Sequence, residues 1–314
     1  MTAADPVSQA VSQTTAAKTP LIGLNADQFR HPLDRRATQA LKQLPGLDVA
    51  VRSLLGPMGE QFFYLENIAA SVLVGPKQLP DIYALLVEAC KVLDLEVPQL
   101  YIKQSPVPNA YTFAMRGKQP FIVVHTSLIE LLKEAELQAV IGHELGHLKC
   151  EHGVYLTLAN LLTLATSQLP FGAVLMQNWQ AQIMEWVRCA EFTCDRAALL
   201  ATQDARTVAS VLMKLSGGSP TLSPQLNLDA FIEQAQAYDA ISDSDIGEML
   251  KRMKTDELSH PVPVLRAREI DRWASTPDYH ALLQGQSSSK SIKSAEGNRE
   301  TADSAKKTAG WLNW

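Results

Sequence analysis

Residues 153–184 contain no Asp, Glu, Lys or Arg, a run of 32 positions in a chain of 314. The apolar centre of the run, residues 154–176, is long enough to cross a bilayer. However, Asn160, Thr163, Thr166, Ser167 and Gln168 cluster beside Pro170 and Gly172 and divide it into two shorter apolar pieces. Those pieces read as the end of one helix and the start of another, joined by a turn at residues 169–172. Such a hairpin can lie in a membrane interface, pack on another subunit or cover its own core. We read it first as membrane-surface contact, with true spanning and a soluble core as the two other readings.

The rest of the chain dilutes this segment, so that mean hydropathy is −0.05. With 46% hydrophobic residues the chain has enough apolar material for a sizeable core, which excludes a wholly disordered protein. Lys+Arg 28 against Asp+Glu 33 gives a net charge of −5 and no reason to expect a nucleic-acid partner. Cys90, Cys150, Cys189 and Cys194 are too sparse for a disulfide scaffold. With no secretory signal they read as reduced thiols in a reducing compartment, not a secreted one.

Four regions follow from the patterning. Residues 1–20 are an Ala/Ser/Thr/Gln-rich disordered lead, and residues 286–314 are a polar tail ending in Trp311-Leu312-Asn313-Trp314. Residues 21–75 read as a helical module, with helices near 35–44 and 48–55. Residues 76–285 hold the main domain. Strands are expected at 71–74, 99–102, 110–115 and 121–124, and an amphipathic helix at 79–93; after Thr126 the pattern is helical throughout. A small sheet followed by many helices indicates a mostly helical α+β fold.

A helix opening near Glu134 carries His143-Glu144-Leu145-Gly146-His147. Residues four apart on a helix share a face, so the two imidazoles can hold one metal, with the Glu144 carboxylate beside it. A catalytic zinc needs a third protein ligand. The metzincin spacing is excluded, because Cys150 and Gly153 stand where it needs Gly and His. His152 follows His147 by five positions and on a continuous helix would face away; Cys150 reads as a buried thiol. Downstream, Glu191 and Asp195 share a helix face. One of them can ligate a metal while the other accepts a hydrogen bond from a metal-binding histidine. His125 and His280 have no motif around them and read as structural.

His143-Glu144-x-x-His147 followed by Glu191-x-x-x-Asp195 resembles metallopeptidase family forty-eight, the family of the type I CAAX prenyl proteases and the HtpX-type heat-shock proteases. The likeness extends to Asn109-Ala110-Tyr111, Phe121-Ile122-Val123-Val124, Leu128-Ile129, Arg188, and Ser259-His260-Pro261 with Arg266. Val262 replaces a usual proline, and Cys194 stands where Ala is usual. The N-terminal module, with Phe29-Arg30-His31-Pro32-Leu33-Asp34, lacks the opening transmembrane helices of the prenyl proteases and looks closer to the shorter bacterial, cyanobacterial and plastid members.

The resemblance implies a gluzincin-type zincin fold whose edge strand faces the active site. It also implies one zinc per chain on His143, His147 and Glu191, Glu144 as general base and His260 as a hydrogen-bond donor to the oxyanion. Asp195 is expected to orient a zinc-binding histidine and Arg188 to neutralise or position the carboxylates. Asn109 and Ala110 are expected to pair with an extended protein or peptide substrate. The activity implied is zinc-dependent endopeptidase action in protein quality control or turnover at a membrane surface. Two other readings are a zinc-stabilised, non-catalytic membrane-associated scaffold, and a di-iron bundle built on Glu144-x-x-His147 and Glu257-x-x-His260. Pro261 sets a helix boundary against the bundle, and the upstream strands have no role in it.

Overall fold

A computed structural model describes residues 18–43, 65, 69–113, 120–153, 173–242 and 262–285. Strands β1 (Ser71–Leu73), β2 (Gln99–Lys103), β3 (Ala110–Phe113) and β4 (Phe121–His125) form one sheet of order β1-β2-β4-β3. β2 and β4 run parallel, and β1 and β3 flank them antiparallel. Period-two alternation divides the central strands between two apolar clusters. Leu100, Ile102, Ile122 and Val124 join the main core, while Tyr101, Phe121 and Val123 cluster with Tyr111 and Phe113. Burial on both faces explains why residues 121–124 read as an unbroken apolar run.

The helices in chain order are α1 (Ala26–Phe29), α2 (Pro32–Lys42), α3 (Pro80–Leu93), α4 (Thr126–Leu131) and α5 (Glu134–Lys149). They are followed by α6 (Ala173–Thr202), α7 (Ala205–Gly217), α8 (Leu228–Ser242), α9 (Pro263–Ala274) and α10 (Pro277–Leu283). Proline opens α2, α3, α9 and α10, where its missing N–H costs nothing. α5 starts at a cap in which Glu136 Oε2 accepts from the Lys133 amide at 2.7 Å. Glu136 is also held by the buried Lys214 ammonium of α7 at 2.5 Å and the Ser210 hydroxyl at 2.7 Å.

The central pair is α5 against α6. A β-carbon on Gly142 would lie 2.6 Å from Ala201 Cβ, and one on Gly146 would lie 2.7 Å from Ala197 Cβ. Only glycine permits this backbone approach. The N-terminal residues are not peripheral: Leu21, Leu24 and Phe29 share the main core with Leu145, Ala197 and Ile270. α2 lies on α6, where the Trp186 indole donates to Thr38 Oγ1 at 2.8 Å. Among the described residues no helix is long and apolar enough to cross a membrane. The helix expected at 48–55, the turn at 169–172, residues 1–17 of the lead and the tail 286–314 lie outside the described residues, whereas Thr19 at the end of the lead exchanges hydrogen bonds with the Gln203 side chain.

Candidate metal centre

α5 and α6 each bring a functional face to their contact. His143 and His147 sit one turn apart with ring centroids 5.2 Å from each other. Glu191, buried on α6, reaches both: Oε2 is 3.4 Å from His143 Nε2 and Oε1 is 3.5 Å from His147 Nε2. Ligand atoms on a tetrahedral zinc, each about 2.0–2.1 Å from the metal, lie about 3.3–3.4 Å apart. Each His–Glu191 spacing is close to that separation, through a different carboxylate oxygen for each histidine; the described residues whose single donor atoms all lie within 4.8 Å of one another are His143, His147 and Cys194.

The surrounding charges also suit a cation. Burial opposes a charge on His143, yet Glu191 and Asp195 outweigh it and raise its pKa to about 10. His143 Nδ1 meets Asp195 Oδ1 at 3.2 Å, which leaves Nε2 toward Glu191. Asp195 is in turn gripped by Arg266, with Nε 2.8 Å from Oδ2 and the second nitrogen 2.6 Å from Oδ1. Burial works against the Asp195 carboxylate, but Arg266 and His143 hold it below the usual range. Arg266 also reaches Glu191 Oε2 at 3.1 Å.

Arg188, expected among these carboxylates, pairs with Glu185 one turn earlier on its own helix, at 2.5 Å. The guanidinium on both Glu191 and Asp195 is Arg266, which the sequence singles out only as part of a motif. Arg266 brings this charge to the site from α9.

Glu144 is buried, and the Thr112 hydroxyl lies 2.6 Å from its Oε2. Thr112 belongs to β3, and nothing in its local sequence distinguishes it from any strand threonine. β3 is an edge strand whose inner side pairs with β4. Asn109 O accepts from the His125 amide at 2.9 Å. Asn109, Ala110, His143, Glu144 and Glu191 line one cavity of about 380 Å³ whose far wall is apolar, with Leu128, Val140, Val208 and Leu212. His260 lies outside the described residues.

His152 does not face away from the site. α5 ends at Lys149, Glu151 adopts a left-handed turn with φ 57°, and His152 folds back beneath the last turn. Its Nδ1 lies 3.2 Å from His147 Nδ1, and its Nε2 lies 3.2 Å from Asp34 Oδ2. The angle of a continuous helix therefore does not apply to a residue beyond its end. Burial, only partly offset by Asp34, lowers the His152 pKa to about 4.

All four cysteines are free and buried. Cys150 is the buried thiol expected. Cys194 Sγ also lies close enough to the two motif histidines to join a metal group with them. It also meets His152 Nδ1 at 3.7 Å, and burial raises its thiol pKa well above the ordinary range.

The comparison with known families matches "Peptidase family M48" over residues 76–274. The chain belongs to peptidase family M48. It is 57% identical over 262 residues to the plastoglobule-localized metallopeptidase 48, chloroplastic, of Arabidopsis thaliana, covering 83% of this chain and 76% of that protein. It is 29% identical over 189 residues to the protease HtpX homolog 2 of Methanosarcina mazei, covering 51% of this chain and 64% of that protein. The protease HtpX homolog of Moorella thermoacetica is 27% identical over 214 residues, 58% of this chain and 70% of its own length. No solved structure matches the chain. As an M48 member the protein is a metalloprotease, a hydrolase acting on protein or peptide substrates.

Proposed function

We propose that this M48 protein is a zinc-dependent endopeptidase with a gluzincin-type site, in which His143, His147 and Glu191 hold one zinc and Glu144 is the general base. The observation that carries the reading is the pair of Nε2···carboxylate distances, 3.4 and 3.5 Å, from the two histidines to the two oxygens of Glu191. A bound zinc supplies a Lewis acid that lowers the pKa of water and polarises a carbonyl.

The chain's own groups do the rest. Glu144 opens into the cavity, where its carboxylate takes a proton from the attacking water and returns it to the departing amine. The Thr112 hydroxyl fixes the orientation of that carboxylate. Asp195 holds His143 in the tautomer whose Nε2 is free to ligate, and Arg266 neutralises Asp195 and Glu191. Asn109 and Ala110 on the edge strand pair with an extended substrate backbone, a mode tolerant of sequence. The apolar wall takes an apolar substrate side chain. His260 supplies the oxyanion hydrogen bond, a role that rests on the resemblance of Ser259-His260-Pro261 and Arg266 to the family.

A specific observation favours a second ligand set, with Cys194 in place of Glu191, because Cys194 Sγ lies near both histidines. Glu191 is preferred because it offers an oxygen to each Nε2, whereas the thiol keeps company with His152 Nδ1.

The peptidase unit is residues 76–285, preceded by the module 21–75. Membrane-surface contact through residues 153–184 is supported by their lack of charge and by the likeness to a plastoglobule-localized relative. The chloroplastic name of that relative also supports a plastid-like setting, and a role in protein turnover there follows from the proposed peptidase activity. The test is Glu144→Gln, which is expected to keep one zinc per chain and lose peptide hydrolysis. Hydrolysis at the wild-type rate overturns the general-base assignment.

A further inference from the structure

Among the described residues, the second motif histidine, His147, has no carboxylate on its Nδ1 comparable to the Asp195 of His143. Its Nδ1 meets His152 Nδ1 at 3.2 Å instead. His152 is sealed in the interior, edge-on to Trp186 with ring centroids 5.3 Å apart, and its other nitrogen meets Asp34. Asp34 is fully buried on α2 and gathers four donors. Arg30 reaches its Oδ2 at 3.0 Å, Thr193 the same oxygen at 2.7 Å, Thr38 Oδ1 at 2.9 Å and His152 Oδ2 at 3.2 Å.

If His147 ligates metal through Nε2, the protons of this chain of groups are determined one after another. His147 Nδ1 must carry the proton, because Nε2 gives its lone pair to the metal. That proton can only be donated to an unprotonated His152 Nδ1. His152 then carries its own proton on Nε2 and donates it to the Asp34 carboxylate, which can only accept. Arg30 Nη1, 3.3 Å from His152 Nε2, is therefore a neighbour sharing the same acceptor, while Arg30 Nη2 anchors the loop by donating to Cys150 O at 2.9 Å.

We propose that Asp34 and His152 are positioning residues for the metal: a relay Asp34–His152–His147 that fixes the tautomer and ring orientation of the second metal ligand. The inference rests on the reading of His147 as a zinc ligand. It also assigns a task to Phe29-Arg30-His31-Pro32-Leu33-Asp34, which lies outside the 76–274 stretch matched to the family. This segment is docked independently of the relay by the His31 amide, which donates to Thr193 Oγ1 at 3.0 Å, and by His31 Nε2, 3.1 Å from Glu269 Oε1. The two motif histidines are thus oriented by carboxylates from different parts of the chain, His143 directly by Asp195 and His147 through one intervening imidazole.

The test is zinc affinity, measured by competition with a chromophoric chelator on the full chain, for Asp34→Asn, His152→Phe, His152→Gln and His147→Ala. Loss of a hydrogen-bond partner behind a metal ligand typically weakens metal binding about 10–100-fold, and that loss is expected for Asp34→Asn and His152→Phe. Glutamine can accept from His147 Nδ1–H with its carbonyl and donate to Asp34 with its amide, so His152→Gln is expected to recover most of the affinity. A packing role predicts the opposite order, with phenylalanine tolerated against Trp186 and glutamine penalised. Wild-type affinity in His152→Phe, or equal losses in the Phe and Gln variants, overturns the relay. If Asp34→Asn fails to fold, the two His152 variants decide. His147→Ala separates the two levels: retention of zinc there refutes the metal-site reading itself, while loss there with an unaffected His152→Phe refutes only the relay.

Discussion

Replacing Gly146 by alanine adds one methyl group at the closest approach of α5 and α6, inside the metal motif. The new β-carbon would lie 2.7 Å from Ala197 Cβ and 3.1 Å from Cys194 Cα. Carbon atoms rest about 3.5–4.0 Å apart, so the helices must separate by about 1 Å. Two effects on stability oppose each other. Alanine gains about 0.8–1.0 kcal/mol over glycine in a helix interior, while overpacking costs about 1–3 kcal/mol. The net is a destabilisation of about 0–2 kcal/mol, a melting temperature lower by a few degrees. The site fares worse, because His147 adjoins Gly146 and Glu191 lies one turn from Cys194. A 1 Å separation opens the 3.5 Å His147–Glu191 spacing beyond the edge of a tetrahedral site, and a misplacement of that size can cost about 10²-fold in rate. Gly146→Ala should therefore remain folded by circular dichroism while losing zinc to a chelator and turnover on an unstructured peptide. Adding Ala197→Gly, which removes the opposing methyl, should restore both in part. Wild-type zinc retention and turnover in Gly146→Ala would show that helix proximity does not set the site.

Two further outcomes are expected. Thr112→Val removes the hydroxyl that orients Glu144; hydrogen bonds to charged groups are worth about 1.5–3 kcal/mol, so kcat should fall at least tenfold with zinc content unchanged, and an unaltered kcat removes Thr112 from the mechanism. Burial works against the Glu136 carboxylate, but the Lys133 amide, Lys214 and Ser210 outweigh it and hold its pKa below the ordinary value. A carboxylate depressed in this way adds stability above its unfolded pKa of about 4.3 and loses it as pH falls through the folded pKa. Glu136→Gln leaves the Lys214 ammonium buried and should cost about 3–5 kcal/mol at neutral pH. The gap to wild type should narrow as pH falls through the lowered folded pKa, where the native carboxyl is itself protonated; a gap independent of pH contradicts the ion-pair account.

Much of the site was legible because its signals are local. The spacing of His143 and His147, and of Glu191 and Asp195, is a property of single helices, and helical geometry puts each pair on one face. The strands were equally local: the expectation at 99–102 meets an observed strand at Gln99–Lys103, and that at 121–124 meets Phe121–His125. What escaped the sequence depends on where elements end or what approaches from afar. His152 was assigned by continuing a helix that stops at Lys149, and a left-handed Glu151 turns it back under His147. Asp34 reaches His152 across a separation of 118 residues, and Arg266 reaches Asp195 across 71. No periodicity encodes such pairings; they follow from the docking of α2 and α9 on α6.

The most direct test of the central claim is X-ray absorption at the zinc edge of the metal-loaded protein. The account predicts a first shell made only of nitrogen and oxygen at about 2.0–2.1 Å, with the outer scattering of two imidazoles and no sulfur. A sulfur scatterer at about 2.3 Å would place Cys194 on the metal and contradict the assignment of Glu191.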